Sequence, residues 1–253
     1  MLIAIGVVTV GGTMFAWPDH PALKQGHKMP ELSLDQKVTS LAAELPGAAE
    51  LFRRSGINFC CGGHVSLRDA ADEAGMSPET LLSELAALKR DAARDAPGET
   101  TALIKHLLTR YHDTHRKELE FLIPLAEKVE RVHGDHPFAP IGLASTLVSM
   151  RDELDSHMKK EEQVLFPMML RGGSPSISHP IAHMRHEHDD AAELLSRIEE
   201  ITHGLALPAG ACGSWTALYT GVKKFTDDLV AHMHLENAVL FPRFDAGPTS
   251  ASA

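Results

Sequence analysis

The chain has few aromatic residues, few basic residues and no long apolar run. Aromatics make up 5% of its 253 residues, which favours helices over a β-sandwich. Lys and Arg number 24 against 34 Asp and Glu, which gives a formal charge of −10. This balance argues against a broad grip on phosphate backbones, so we expect no nucleic-acid partner. No stretch of about 18 consecutive apolar residues occurs, so we expect no membrane-spanning helix.

Cysteine is also scarce, and its placement argues against a disulfide framework. The three cysteines are Cys60, Cys61 and Cys212, an odd number in which two are adjacent in the chain. Neighbouring cysteines rarely reach the geometry of a bridge. We therefore expect free thiols, a reducing compartment and a cytoplasmic location.

The start of the chain lacks the marks of a targeting segment. Residues 1–32 contain an apolar stretch with no Lys or Arg before it and no clear cleavage site. We expect a leader that is disordered or that reflects a misassigned start, and a secretory signal is the weaker alternative.

Residues 33–95 predict a small helical domain that carries the adjacent cysteines. Ser66 is an N-cap candidate with Asp69 three residues on, and Ser77 is a second N-cap followed by Pro78. The loop INFCCGGHV lies between the predicted helices, and an Ala-Pro-Gly-Glu linker ends the domain.

Four longer segments follow, and each carries inward-facing positions at steps of three and four. We expect helices at about 100–132, 142–171, 177–203 and 214–241, with Gly- and Pro-rich connections. Such helices favour an antiparallel four-helix bundle over residues 100–245, followed by a tail at 246–253. The predicted fold class is all-α.

Polar residues interrupt the helix faces that should point into the bundle. They are His112, His157, Glu161, His188, His232 and Glu236. Four of them belong to two near-copies, HMKKEEQVLFP at 157–167 and HMHLENAVLFP at 232–242. Each copy places a Glu four residues after a His, so both side chains lie on one helix face.

The spacing of these residues indicates a duplicated helical hairpin. His112 and His157 are 45 residues apart, and His188 and His232 are 44 apart. A two-fold arrangement of the halves would place two metal positions side by side, each with two histidines and sharing the carboxylates. The alternative, a metal-free core of satisfied polar groups, would bury several charges at a high cost. Imidazole and carboxylate suit Fe, Mn and Zn, so the ligand types alone do not choose the metal.

Several nearby polar residues have less certain roles. His115 lies one turn from His112, where it could support a ligand, line an access path or bind metal in one redox state. Glu162 and Glu187 lie off the inward faces, which indicates roles at the helix edge or as partners of ligands. We expect solvated side chains at three further positions, His183, His186 and His234.

From about residue 33 to 245 the chain resembles a known family. The resemblance is carried by INFCCGG, RYHDTHRKEL, HMKKEEQVLFP, EHDDAAELL and HMHLENAVLFP. It is to the repair-of-iron-centres (RIC) family of iron–sulfur cluster repair proteins, which have a hemerythrin-like di-iron domain. The resemblance implies that the six polar residues bind two non-haem iron ions. It also implies bridging by Glu161, Glu236 and an oxo or hydroxo group, and it suggests a homodimer.

One residue departs from the oxygen-carrying hemerythrins. Those carriers have His-x-x-x-His in the last helix, where this chain has Glu236. A second carboxylate makes the site harder and more anionic, which favours oxidised iron and loosens the hold on Fe(II). We therefore expect a centre that delivers iron or reacts with nitric oxide or peroxide.

The cysteine pair allows two interpretations. Cys60 and Cys61 are either small apolar core residues or a thiol pair for metal transfer or redox chemistry, and the resemblance favours the second. Arg53 and Arg54 on the preceding helix could lower a thiol pKa. Cys212 has no assigned role.

Three functions are consistent with these features. The first is repair of iron–sulfur clusters damaged by nitrosative or oxidative stress, by supplying iron, removing nitric oxide, or both; the partners would be damaged iron–sulfur proteins. The second is a nitric oxide reductase that forms N2O at the two irons, so enzymatic activity is undecided. The third is a sensor that binds O2 or NO.

Overall fold

The computed structural model describes residues 9–10, 13–14, 32–57, 59, 65–94 and 97–245. A short antiparallel pair joins Thr9–Val10 to Thr13–Met14. From residue 32 onwards the named elements of the described ranges are helices, so the all-α prediction is confirmed. No helix of these ranges is long and apolar enough to cross a membrane.

Four helices form the small N-terminal unit. They are α1 (Val38–Glu44), α2 (Ala48–Arg54), α3 (Leu67–Glu73) and α4 (Pro78–Arg94). Both predicted caps are confirmed, because Ser66 Oγ accepts from the Asp69 N–H at 3.1 Å and Ser77 Oγ from the Thr80 N–H at 3.4 Å. The unit has a separate apolar core, whose larger members include Leu41, Leu51, Phe52, Leu67, Leu81 and Leu85.

Four long helical stretches, named the first to fourth bundle helices, form the rest of the described chain. The first is Thr100–His106, Leu107–His112 and Asp113–His133; the second is Leu143–Lys160, Glu161–Leu165 and Phe166–Leu170; the third is Ser178–Thr202; the fourth is Gly213–His234 and Leu235–Leu240, followed by Pro242–Asp245. The middle segment of the first and second, and Leu235–Leu240 of the fourth, are π-helical. These bounds agree with the four predicted helices to within one or two residues.

The bundle has two apolar clusters with a polar layer between them. One cluster is built around Leu122, Leu147, Ile198 and Phe225, and the other around Leu103, Phe166, Ile181 and Phe241. The buried polar residues of the bundle core lie between these clusters along the bundle. Apolar packing therefore encloses that layer at both of its ends along the bundle. The domain limits 33–95 and 100–245 stay predictions, as does the leader at 1–32, most of which lies outside the described residues.

Ion pairs join the small unit to the third and fourth bundle helices. Arg53 Nη1 lies 2.7 Å from Glu199 Oε1, and Arg53 Nη2 lies 3.9 Å from Asp227 Oδ1. The Lys223 ammonium lies 3.1 Å from Glu50. The described face of the small unit thus docks on the bundle through charged as well as apolar contacts.

The position of the small unit shows that one prediction about the histidines was wrong. His234 was expected to be solvated, but it is buried, with Nδ1 3.3 Å from the Glu44 carbonyl oxygen of α1. The prediction was wrong because helical periodicity within the bundle does not reveal that a second unit covers this face. His186 is exposed as predicted, whereas His183 is partly buried and lies 3.3 Å from Glu187.

Candidate metal centre

The six predicted polar residues converge in the layer between the two apolar clusters. They form two groups of four, and within each group one nitrogen or oxygen atom per residue lies within 4.8 Å of the others. The first group is His112, His232, Glu161 and Glu236, and the second is His157, His188, Glu161 and Glu236. Both groups therefore use the same two carboxylates. The assignment of these residues as metal ligands stays a prediction from the sequence.

The histidine Nε2 atoms face the carboxylates at short range. One oxygen of Glu161, Oε2, lies 3.4 Å from Nε2 of His112 and 3.4 Å from Nε2 of His157. This oxygen thus lies between the two groups. On the other side of the layer, Glu236 Oε1 lies 3.0 Å from His232 Nε2 and Oε2 lies 3.1 Å from His188 Nε2.

Two glutamates outside the groups orient the histidines. His112 Nδ1 donates to Glu162 Oε1 at 2.9 Å, and His157 Nδ1 donates to Glu187 Oε2 at 3.1 Å. An ionised carboxylate only accepts hydrogen bonds, so Nδ1 carries a proton, and in the neutral ring that binds a metal the lone pair of Nε2 points inward. Metal-binding histidines are commonly held in this way. The structure thus shows Glu162 and Glu187 as partners of the candidate ligands, one of the two roles expected for them.

The other two candidate ligands, His188 and His232, differ in what their Nδ1 atoms contact. His188 Nδ1 lies 3.0 Å from Asn237 Oδ1, so an amide holds its ring in the same tautomer. Asn237 was not identified from the sequence, because helical spacing within one segment does not show contacts between helices. His232 Nδ1 has no hydrogen-bond partner among the described residues. Its ring stacks instead on Tyr111, with centroids 5.4 Å apart and planes 8° from parallel.

His115 lies beside the groups and belongs to neither. Its ring is buried, 5.4 Å from the ring of His232 and edge-on to Phe225. Neither ring nitrogen has a hydrogen-bond partner in the described chain, and the nearest carboxylate oxygen, of Glu118, lies 3.7 Å from Nδ1. This position favours a role for His115 in supporting a ligand or lining an access path over a role as a metal ligand.

Each of the ligand-bearing first, second and fourth helices has a π-helical segment at the site. His112 is the last residue of one segment, Glu161 is the first residue of another, and Glu236 lies within the third. A π turn is wider than an α turn and redirects the side chains that follow it, and such turns are frequent at functional sites. No signal in the sequence distinguished these turns from ordinary helix.

Burial and the close approach of two carboxylates to four histidines determine the electrostatics of the site. Burial and the neighbouring charge of Glu236 raise the pKa of Glu161. Burial also disfavours the charged form of Glu236, but His232 and His188 outweigh it and hold the pKa of Glu236 well below its usual range. Burial, together with the charges of His112 and His115, outweighs the effect of Glu236 and lowers the pKa of His232 to about 3. At His112 burial acts in the same direction, but the hydrogen bond to Glu162 and the nearby carboxylate of Glu161 raise its pKa to about 9.

The two cysteines that were predicted to act as a thiol pair, Cys60 and Cys61, lie outside the described residues. Their roles therefore stay predictions. Arg53 is paired with Glu199 and Arg54 with Glu84, at 2.9 Å. Cys212, which had no assigned role, has Sγ 3.1 Å from His133 Nε2 at the start of the fourth bundle helix.

Comparisons with known proteins agree with this architecture. Residues 103–244 match the hemerythrin HHE cation binding domain, and residues 34–89 match a domain of unknown function, DUF542. The chain is 45% identical over 214 residues to the iron–sulfur cluster repair protein YtfE of Pectobacterium carotovorum subsp. carotovorum (strain PC1). It is 44% identical over 212 residues to the protein of that name from Dickeya chrysanthemi (strain Ech1591). Each match covers 83% of this chain and 96% of the relative. The chain therefore belongs to the iron–sulfur cluster repair (RIC) family, whose members carry a hemerythrin-type cation-binding domain.

Proposed function

We propose that this protein holds two non-haem iron ions in its bundle core and supplies iron for the repair of damaged iron–sulfur clusters. The observation that carries the proposal is the pair of four-residue groups that share Glu161 and Glu236. Relatives at 43–45% identity are named iron–sulfur cluster repair proteins, which supports the choice of iron and of repair.

The donor atoms of the site fit cations. His157 Nε2 lies 3.2 Å from His188 Nε2, and with both protons on Nδ1 two lone pairs would face each other. Both Glu161 oxygens and His112 Nε2 are buried without a hydrogen-bond partner in the described chain. Contacts between acceptors are unfavourable unless a positive charge lies between them, and buried unpaired charges are costly. Bound metal ions would remove both problems.

Each half of the site would hold one ion. His112 and His232 would bind the first, His157 and His188 the second, and Glu161 and Glu236 would bridge them. When bound, such an iron pair supplies redox chemistry and coordination positions for small ligands such as NO or O2.

The protein residues explain why iron could leave without collapse of the site. Glu162, Glu187 and Asn237 bind the Nδ1 atoms of three histidines, on the side opposite the metal. These hydrogen bonds do not depend on the ion, so the rings keep their orientation when it departs. Glu236, a carboxylate where oxygen carriers have histidine, makes the site harder and weakens its hold on Fe(II). Fe(II) is therefore the cargo, and a cluster deficient in iron is the acceptor.

The small unit carries the cysteine pair that would assist this centre. Phe59, the residue before Cys60, is buried and lines the interface with Leu195 and Val230 of the bundle. We infer that Cys60 and Cys61 act in the transfer of iron or in redox chemistry.

Replacement of either shared carboxylate tests the proposal. We expect the purified chain to contain two irons, and Glu161→Leu or Glu236→Leu to lose most of them. Metal analysis and EPR of the reduced and oxidised protein measure this, with Glu120→Gln on an exposed position as the control. Two irons retained in either Leu variant, or a single zinc in the wild type, would contradict the site assignment.

A second measurement separates donation from NO reduction. The reduced protein is treated anaerobically either with a cluster-depleted acceptor or with NO. We expect recovery of acceptor activity with loss of iron from this protein. Many N2O molecules per chain without iron transfer would instead make it a nitric oxide reductase.

A further inference from the structure

Four polar atoms around His115 and His232 are buried without a hydrogen-bond partner among the described residues. They are Nδ1 of His232, both ring nitrogens of His115 and Oε2 of Glu118. The side chains of both histidines are fully buried. Buried polar groups that lack a partner are costly and uncommon in native structures, so each requires an explanation. Neither His115 nor Glu118 belongs to the two groups of candidate ligands.

His232 differs from the other three candidate histidine ligands at its Nδ1 atom. Each of the other three has an oxygen acceptor 2.9–3.1 Å from Nδ1. Nε2 of His232 lies 3.0 Å from Oε1 of Glu236, so Nε2 is the nitrogen that faces the shared carboxylates. A neutral ring that binds a metal through Nε2 carries its proton on Nδ1. His232 therefore requires an acceptor for an Nδ1–H group.

Among the described residues, His115 is the ring neighbour of His232 that has nitrogens without another contact. The rings of Tyr111, His112 and His115 lie against that of His232, with centroids 4.9–5.4 Å away. Tyr111 is nearly parallel to His232, so it presents its ring face and not its hydroxyl. His112 uses Nδ1 for Glu162 and directs Nε2 to Glu161. The ring of His115 is thus the one that can supply the acceptor.

Glu118 determines which nitrogen of His115 can accept. Its Oε2 lies 3.7 Å from His115 Nδ1, and its Oε1 binds the Lys224 ammonium. Glu118 follows His115 by three residues in the first bundle helix, so the two side chains share one helix face. An ionised carboxylate only accepts hydrogen bonds, so the proton of a neutral His115 ring is favoured on Nδ1 and the lone pair lies on Nε2. This lone pair matches the Nδ1–H group of His232.

We infer that His115 positions His232 in the loaded metal centre, because its Nε2 accepts the Nδ1 proton of His232 while Glu118 and Lys224 keep His115 in the accepting tautomer. The inference rests on the proposed function, since it concerns the support of one candidate ligand. The two ring planes are 33° apart and the centroids 5.4 Å apart, so small rotations of the rings bring the nitrogens together. His232 is then held as the other three histidines are. His115 is a positioning residue, because it contacts His232 and not the ion.

Two substitutions at His115 separate acceptance from packing. His115→Phe keeps an aromatic ring edge-on to Phe225 but offers no acceptor. His115→Gln loses the ring but returns an amide oxygen, the kind of acceptor that His188 has in Asn237. Packing alone predicts that the Phe variant binds metal better, whereas positioning predicts that the Gln variant does.

Equilibrium competition between the full-length chain and a ferrous chelator measures the affinities for Fe(II). We expect His115→Phe to weaken one of the two sites about 10–100-fold, which is the typical cost of a lost ligand partner, and to leave the other unchanged. His115→Gln should bind more tightly than His115→Phe. His179→Gln, at an exposed histidine, is the control and should bind both ions with wild-type affinity.

A spectroscopic readout reports the hydrogen bond itself. Zn(II) is diamagnetic and accepts imidazole and carboxylate ligands, so the chain labelled with ¹⁵N-histidine is loaded with Zn(II) for NMR. We expect the Nδ1 proton of His232 to resonate at low field in the wild type and in His115→Gln, as a hydrogen-bonded proton does. In His115→Phe it should move to higher field.

Three results would overturn the inference. They are wild-type affinity at both sites in His115→Phe, an affinity of His115→Gln no tighter than that of His115→Phe, and an unchanged His232 proton resonance in the Phe variant. If circular dichroism shows that His115→Phe does not fold, Glu118→Ala decides instead. Lys224 keeps its partner Asp228 in that variant, whereas His115 loses its tautomer preference, so one site should weaken. Wild-type affinity at both sites in Glu118→Ala would then overturn the inference. A wild type that does not bind two irons would instead refute the proposed function, so the two failures are distinguishable.

Discussion

Removal of the Glu187 carboxylate should weaken iron binding without destroying the fold. Glu187 accepts the Nδ1 proton of His157 at 3.1 Å and is also bound by the Lys160 ammonium. The hydrogen bond fixes the His157 ring and increases the basicity of Nε2. Loss of such a partner typically costs 10–100-fold in metal affinity, which corresponds to about 1.4–2.7 kcal/mol.

The structure allows a graded expectation. Glu187→Gln keeps an oxygen that can accept from Nδ1, as Asn237 does for His188 at 3.0 Å, so we expect the lower limit, about tenfold. Glu187→Ala removes the acceptor and leaves Lys160, which is 17% exposed, as an uncompensated cation near the site. For this variant we expect about a hundredfold loss.

Competition with a ferrous chelator at equilibrium measures the Fe(II) affinity of the Glu187→Gln and Glu187→Ala variants. Glu187 also lines a cavity of about 530 Å³ beside His157 and His188, so equilibrium affinities are measured and not rates of uptake. Glu187→Ala/Lys160→Met removes the stranded charge and isolates the contribution of the lost acceptor. Circular dichroism confirms that each variant is folded. The reasoning is refuted if Glu187→Ala binds both irons with wild-type affinity, or if Glu187→Gln binds iron more weakly than Glu187→Ala.

Two other predictions concern stability. Arg53→Ala should lower the free energy of unfolding by about 1–3 kcal/mol, since it leaves Glu199 buried without its cation. Burial raises the pKa of Glu199 and Arg53 opposes this, so without Arg53 the pKa rises further. A carboxyl group whose pKa is raised in the folded state contributes stability at low pH, and this contribution is lost as pH rises. Denaturation should therefore show that Arg53→Ala lowers the free energy of unfolding less at pH 5 than at pH 7.5. An equal loss at both pH values would contradict this. At Gly221 of the fourth bundle helix, an added Cβ would lie 2.7 Å from Leu122 Cδ2. Overpacking of about 1–3 kcal/mol should exceed the helix-propensity gain of about 1 kcal/mol, so thermal unfolding should show Gly221→Ala destabilised. Gly213→Ala, with nothing within 4 Å, is the control, and a Gly221→Ala variant as stable as the wild type would be evidence against the close contact.

The amino-acid sequence determined which residues face the bundle interior. Apolar residues at steps of three and four placed the four helices within one or two residues of their observed bounds. The same period put each His-x-x-x-Glu pair on one helix face, which is a local property of a single helix. Six polar residues on inward faces were therefore identifiable without knowledge of how the helices pack.

Only the tertiary structure decided which side chains meet between helices. The contacts of His112 with Glu162 and of His188 with Asn237 depend on the rotation and offset of neighbouring helices. Period and spacing do not encode these quantities. The burial of His234 beneath the small unit has the same origin. So does the cavity between the second, third and fourth bundle helices that is lined by His157, His188 and His232, because a cavity is a property of several packed elements and not of any one segment.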